Sequence, residues 1–393
     1  MESTVILGFA RTPFGRFMGS LKDIPAVELG AAAVREGLSR SKVAVDLVDN
    51  VVLGMVVQAG TGQIPSRQAT IKAGLPYSVP SETINKVCAS GLRAVNLCDM
   101  MIKAGEGSLH VAGGMENMSS VPYFATGLRN GNRMGDSKLV DGMIHDGLWC
   151  PFHDVHMGVH GSEVPAEHGI TREEMDEWSI RSHQLAINAI DKGFFKEEIT
   201  AIEVPVKKGD SKIVEIDELP RRDTSLEKLA NLPPAFEENG LITAGNAPAI
   251  SDGAAALVIA SNQRARELGL QPRANIISHA TASLEPRHIA TVPYEAAEKA
   301  LKKAGMTIEQ IDLIEVNEAF AAVALTCIKL GGWNKNIVNV NGGAVAIGHP
   351  IGASGARILL TLIAELQRRG GGYGLATICS GAAQGEAIII KVS

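Results

Sequence analysis

Apolar residues in this chain fall into short strand-like stretches and longer helix-like runs, and one succession of them occurs twice. Cys88-Ala-Ser-Gly-Leu-Arg93 and Gly352-Ala-Ser-Gly-Ala-Arg357 share the pattern x-Ala-Ser-Gly-x-Arg, and each opens an apolar helix-like run, 95–102 and 358–366. Each run then meets glycine and a short apolar strand ending in a small-residue turn, 109–115 after the first and 374–381 after the second. Upstream, 46–54 resembles 308–316, and each follows a predicted helix, the second near 293–304. The pattern predicts two copies of one α/β unit. Strands alternating with helices predict mostly parallel, buried sheets with functional groups at the carboxyl ends of strands.

Between the copies the texture turns polar and Gly/Pro-punctuated, as in an inserted loop domain. One helix is predicted there, over 172–192, with Thr171 as cap, Glu174 completing a capping box and Gly193 as stop. Apolar sequence returns at 246–260 and ends in a strand that rejoins the first unit. The expected division is 1–118 with 248–272 as the first half, 119–247 as the insert, and 273–393 as the second half.

Composition narrows the classes. A chain of 393 residues, 45% hydrophobic and 20% charged, folds as a globular protein. It lacks a basic, apolar leader at Met1, and the 5–8 run is too short to span a bilayer, so a cytoplasmic protein is expected. Five cysteines without a C-x-x-C pair argue against a disulfide framework and a zinc ribbon. A net charge of −6 offers nucleic acid no general attraction.

The candidate chemistry lies at the ends of the predicted strands. Cys88 falls between a strand-like 83–87 and a helix beginning near Gly91, where backbone N–H groups favour thiolate, so its pKa is expected below the free value of about 8.5. A buried apolar cysteine is the plain alternative. His349 follows a predicted strand at 337–340, in a glycine-dense segment from Asn341 to Gly355. The spacing of Gly348, Gly352 and Gly355 does not match a dinucleotide fingerprint. Asn317, after the 312–316 strand, is placed either to orient a water or oxyanion or to cap the helix that follows.

These residues resemble the thiolases, and within them the acetyl-CoA acetyltransferases. The resemblance runs from Ala10-Arg-Thr-Pro-Phe-Gly15 through Asn85-Lys-Val-Cys-Ala-Ser-Gly91, Gly113-Gly-Met-Glu-Asn-Met118, Asn317-Glu-Ala-Phe320 and the segment from Gly342 to Gly355, to Cys379-Ser-Gly381. It implies an α/β duplicated thiolase fold of five layers, α-β-α-β-α, with a loop domain inserted in the first half. It also implies that Cys88 is the acyl-carrying nucleophile, His349 accepts its proton, and Cys379 moves the proton of the second substrate's methyl group. Asn317 would hold a water at the enolate oxygen, with Gly381 and Cys88 N–H groups at the tetrahedral oxyanion. Leu148, His156, Met157, Arg221 and Phe320 match positions along the coenzyme A path, and Arg221-Arg222 offers charge for phosphate.

The resemblance implies no permanently bound cofactor, coenzyme A thioesters as substrates, no nucleic acid or membrane partner, and a homo-oligomer, dimer or tetramer. Lys228 and Pro248 stand where well-known members have serines, and the last turn reads Cys-Ser-Gly-Ala-Ala-Gln-Gly where many relatives have a glycine run. His153, His156 and His160, with Cys150 and Asp154 nearby, suggest a metal group, but the His153-x-x-His156-x-x-x-His160 order lacks a recognised zinc pattern, so no metal is expected. The leading activity is reversible condensation of two acetyl-CoA to acetoacetyl-CoA. The alternatives are a broader-chain 3-ketoacyl-CoA thiolase of fatty-acid β-oxidation and an acyl-CoA-binding relative without turnover.

Overall fold

Alternate residues of the strands feed different cores, so the sheets are buried on both faces. The computed structural model describes residues 3–206 and 209–393. The first half contributes β1 (Thr4–Arg11), β2 (Asn50–Gly54), β3 (Ser81–Ile84), β4 (Leu109–Asn117) and β5 (Ser251–Ser261). The second contributes β6 (Ala274–Ser283), β7 (Leu313–Val316), β8 (Gly372–Ser380) and β9 (Gln384–Val392). The principal helices are α1 (Ala26–Ser41), α2 (Pro65–Lys72), α3 (Ser90–Ala104), α4 (Met157–Glu167), α5 (Arg172–Asp191), α6 (Val292–Ala304), α7 (Ala321–Gly331) and α8 (Ser354–Arg368).

Hydrogen bonding runs in the order β7-β8-β9-β6-β1-β5-β4-β2-β3. Among the described residues the strand pairing between the two halves is confined to Val5 with Asn275 and Ile6 with Ala274, at β1 and β6. Within the halves the topology repeats: β1-β5-β4-β2 corresponds to β6-β9-β8-β7, each with two antiparallel pairings followed by a parallel one. The expectation of mostly parallel sheets is therefore corrected to mixed ones. β9 follows β8 through a tight turn at Gly381–Ala383, and so short a connection can only join antiparallel strands. The strand expected at 337–340 reduces to a single bridge between Val338 and Ile314, because Asn339 takes a left-handed φ of 47° and turns the chain away.

Three large apolar clusters fill the four interfaces of five layers, the middle one lying on both sides of α3 and α8. Ala254, Ala256 and Val258 of β5 face α1 and α2, while Ala255, Leu257 and Ile259 face α3 and α8. On the far side of α3 and α8 lie Ile378, Ile388 and Ile390 of the second sheet, whose other face (Leu375, Ala387, Ile389) packs on α6 and α7. The repeated x-Ala-Ser-Gly-x-Arg motif belongs to the middle layer. A Cβ on Gly91 would stand 2.8 Å from the backbone N of Ala356, and one on Gly355 would stand 2.5 Å from that of Leu92. Glycine in each copy thus lets the other copy's helix start come into backbone contact.

Between β4 and β5 the chain forms short hairpins and the helices α4 and α5. α5 carries the expected capping box of Thr171 and Glu174, and Gly193 leaves it at φ 72°. Among the described residues no helix is long and apolar enough to cross a membrane.

Candidate active site

The chain leaves β3 and turns sharply before α3, and Cys88 sits in that turn. Val87 is held at φ 44°, a conformation that costs a β-branched residue energy and persists only where its surroundings impose it. Those surroundings are local. Val87 N–H donates to Asn85 Oδ1 (2.9 Å), Ser90 Oγ donates to the Val87 carbonyl (2.7 Å), and Lys86 N–H donates to Ser90 Oγ (2.8 Å). Cys88 is left half-buried on the wall of a cavity of about 380 Å³.

That cavity gathers residues from both halves and from the insert. Cys88, His349, Gly381, Leu148, His156, Met157, Arg221 and Phe320 all line it. Cys379 is fully buried, and the Cys88 thiol is among the groups that push its pKa up, after burial itself. The end of the first half's third strand and the end of β8 therefore deliver their cysteines to one place.

Burial overrides the helix start at Cys88. The N–H groups of Cys88 and Gly381 both favour thiolate, but desolvation, with Glu116 adding to it, pushes the thiol up to about 12. The expectation of a depressed pKa is corrected: the resting group is a neutral thiol. Burial with Arg357 nearby likewise pushes His349 down to about 3, so its imidazole is neutral.

Hydrogen bonding fixes which nitrogen of His349 carries the proton. Ser354 Oγ spends its one hydrogen on the Pro350 carbonyl (2.9 Å), so at 2.6 Å it accepts from His349 Nδ1–H. Nε2 keeps its lone pair and faces Asn317 Nδ2 at 3.4 Å. The backbone is held as well, His349 N–H donating to Ser251 Oγ at 3.0 Å. Gly348 precedes it at φ 107°, where a Cβ would meet Ser251 Oγ at 2.5 Å.

Asn317 is not the helix cap. α7 starts at Ala321 with Phe320 before it, while Asn317 N–H donates to the Thr377 carbonyl and its buried Oδ1 meets no protein donor among the described residues. The neighbouring Glu318 carboxylate accepts from Trp178 Nε1 (2.9 Å), Ser182 Oγ (2.8 Å), Asn339 Nδ2 (2.9 Å) and Val345 N–H (3.0 Å). It ties the Asn317 turn to α5 and to the segment leading to His349.

The insert forms the rest of the cavity. His156 Nδ1 accepts from Gly158 N–H at 3.0 Å and so caps α4, its ring stacks on Phe236 at 4.1 Å, and Phe236 meets Phe320 edge-on at 6.3 Å. Of the arginine pair only Arg221 faces the cavity, and among the described residues it has no ion-pair partner; Arg222 is held at the surface by Asp191. Pro248 lines the cavity, whereas Lys228 is exposed and paired with Asp223.

Sequence reasoning gave no role to Ser354, Ser251, Glu116, Glu318 or Phe236. Glu116 lies inside a quoted motif, yet its task is set by contacts no spacing reveals: its buried carboxyl, pushed up to about 8 by desolvation, accepts from Val56, Val57 and Gly352 N–H groups and so holds the His349 segment against the first half.

Comparison with known proteins covers the whole chain. Residues 4–263 match the family model for the thiolase N-terminal domain, and 270–392 match that for the thiolase C-terminal domain. An acetyl-CoA acetyltransferase of Pseudomonas aeruginosa is 50% identical over 390 residues, 99% of either chain. One of Cupriavidus necator is 48% identical over 391 residues, 100% of either chain. A crystal structure of the Bacillus anthracis acetyl-CoA acetyltransferase superposes with a TM-score of 0.97 at 39% identity, over 100% of this chain and 99% of that one.

Proposed function

Because the chain belongs to the thiolase family, we propose that it is an acetyl-CoA C-acetyltransferase, joining two acetyl-CoA into acetoacetyl-CoA and CoA and running the reverse thiolysis through an acyl-cysteine. The observation that carries this reading is the convergence on one cavity of Cys88, a neutral His349 and the Gly381 turn, with Cys379 beside Cys88. Full-length relatives named for the acetyl substrate support the short chain over a broader 3-ketoacyl-CoA specificity, and a complete thiol and imidazole set argues against a binding protein without turnover.

The chemistry follows from the neutral resting pair. His349 Nε2 takes the Cys88 proton as sulphur attacks the acetyl carbonyl, so thiolate forms only as it is consumed. Oxygen develops charge where the N–H groups of Cys88 and Gly381 point, the same two that favour thiolate at rest; one such donor is worth about a hundredfold or more in rate. The departing CoA thiolate takes its proton from Cys379, which becomes a thiolate. The Cys379 thiolate then removes a methyl proton from the second acetyl-CoA, whose enolate oxygen is met by protonated His349 and by a water held on Asn317; the carbanion displaces Cys88 from its acyl group, and Cys88 recovers its proton from His349. Leu148, His156, Met157 and Arg221 assign coenzyme A recognition to the insert, with Arg221 for phosphate and the His156–Phe236–Phe320 stack for the apolar arm. The substrates are thus coenzyme A thioesters, and the chain is expected to work as a homo-oligomer in the cytoplasm.

The test is acetyl-CoA treatment followed by peptide mass spectrometry. An acetyl group on Cys88 is expected, and acylation elsewhere, or none in folded protein, sinks the assignment. Cys379→Ala is expected to acetylate Cys88 yet make no acetoacetyl-CoA; normal synthesis by that variant removes Cys379 as the base. Rates on longer 3-ketoacyl-CoA substrates decide the chain length.

A further inference from the structure

The sequence offers His153, His156 and His160 with Cys150 and Asp154 nearby, but the fold takes His156 out of the group. His156 turns toward the cavity and caps α4, and in its place the hairpin of Trp149–Cys150 with Val155–His156 brings up Cys150. The sulphur of Cys150 and one ring nitrogen each of His153 and His160 lie within 4.8 Å of one another. We propose that Cys150, His153 and His160 form a zinc site, with water in the fourth position, separate from the thiolase chemistry.

One thiolate and two imidazoles suit zinc, for which oxygen-rich sites are too hard and all-thiolate sites unnecessary. The distances are close to those required. His153 Nδ1 and His160 Nε2 face each other at 3.0 Å, and two nitrogens on one tetrahedral zinc stand about 3.3 Å apart, so the rings need part by only a few tenths of an ångström.

A carboxylate fixes the tautomer from outside. Glu285 Oε1 lies 3.0 Å from His153 Nε2, and an ionised carboxylate can only accept, so Nε2 carries the hydrogen and Nδ1 presents its lone pair. A ligating imidazole with a carboxylate on its far nitrogen is the usual arrangement of metal-bound histidine. Arg287 pairs chiefly with Glu167 at 2.7 Å and reaches only the other Glu285 oxygen, Oε2, at 3.8 Å, which leaves Oε1 to His153.

Burial divides the site as a three-ligand zinc requires. Cys150 and His160 are buried, while the His153 side chain is 39% exposed and leaves the fourth position to solvent. His160 stands in the first turn of α4. Its buried Nδ1 meets no protein partner among the described residues and takes the hydrogen when Nε2 binds metal. Binding ionises the Cys150 thiol and releases one proton to solvent. Zinc would then staple the hairpin to α4, the two elements that carry His156 and Met157 into the cavity.

The test strips the whole protein with a chelator, returns stoichiometric zinc chloride, desalts and measures bound zinc by elemental mass spectrometry. One zinc per chain is expected, kept by the Cys88→Ala/Cys379→Ala double variant and weakened at least tenfold by Cys150→Ala and by His160→Asn. With cobalt(II) in place of zinc, the thiolate-to-cobalt absorption band is expected to persist in the double variant and vanish in Cys150→Ser. His153→Ala changes an exposed turn and keeps the fold measurable by circular dichroism. The proposal is overturned if wild type retains no zinc, if the double variant loses it, or if folded His153→Ala binds it with unchanged affinity.

Discussion

Cys88 and His349 are neutral at rest, one held up by burial and the other held down by it, so the reaction needs a nucleophile and a base rather than a standing ion pair. That places weight on the orientation of Nε2, which depends on one hydroxyl, Ser354 Oγ. Ser354→Ala should lower kcat about tenfold or more while leaving KM within about twofold, because it frees the tautomer of His349 without touching the coenzyme A path. Steady-state kinetics check it, and a loss confined to KM would contradict the positioning role. Sequence singled out both residues as candidates. Ser354 is printed inside the repeat, but only the folded loop reveals that its hydroxyl accepts from an imidazole five residues earlier in the chain.

At the scale of elements, the contact between α3 and α8 orders the site, since Cys88 lies just before one helix and His349 shortly before the other. Backbone meets backbone there, and backbone cannot yield as a flexible side chain does. Gly355→Ala should therefore destabilise the protein by about 1–3 kcal/mol and lower activity with it, measured by urea denaturation beside turnover. Unchanged stability would mean that the helices do not cross so closely. The opposite economy appears after Cys379, where Ala382 and Ala383 hold left-handed φ values of 60° and 47° in the turn for which many thiolases use glycines. This chain keeps the turn and bears the strain.

The whole molecule is a duplication in which each copy supplies residues to one cavity, Cys88 from the first and His349 and Gly381 from the second. The insert completes the cavity, and it also presents apolar side chains to solvent, among them Met134, Leu139 and Phe152 at 93%, 69% and 69% exposure. Burying such a surface favours self-association. Light scattering on the purified protein should give two or four times the chain mass of 41.4 kDa; a monomer at micromolar concentration would refute the oligomer.

By itself the sequence determined the duplicated α/β plan with its insert and singled out Cys88, His349 and Cys379 as candidate reacting residues, because repeats, glycine-rich turns and strand ends are local features that spacing records. Tertiary structure alone decided the mixed strand order, the neutral state of Cys88, the tautomer of His349 and the departure of His156 from the group of Cys150, His153 and His160. Each of these depends on which distant groups surround a residue and how much water they exclude. Desolvation and hydrogen-bond partners arise from contacts across the chain, such as Glu116 with Gly352, 236 residues apart.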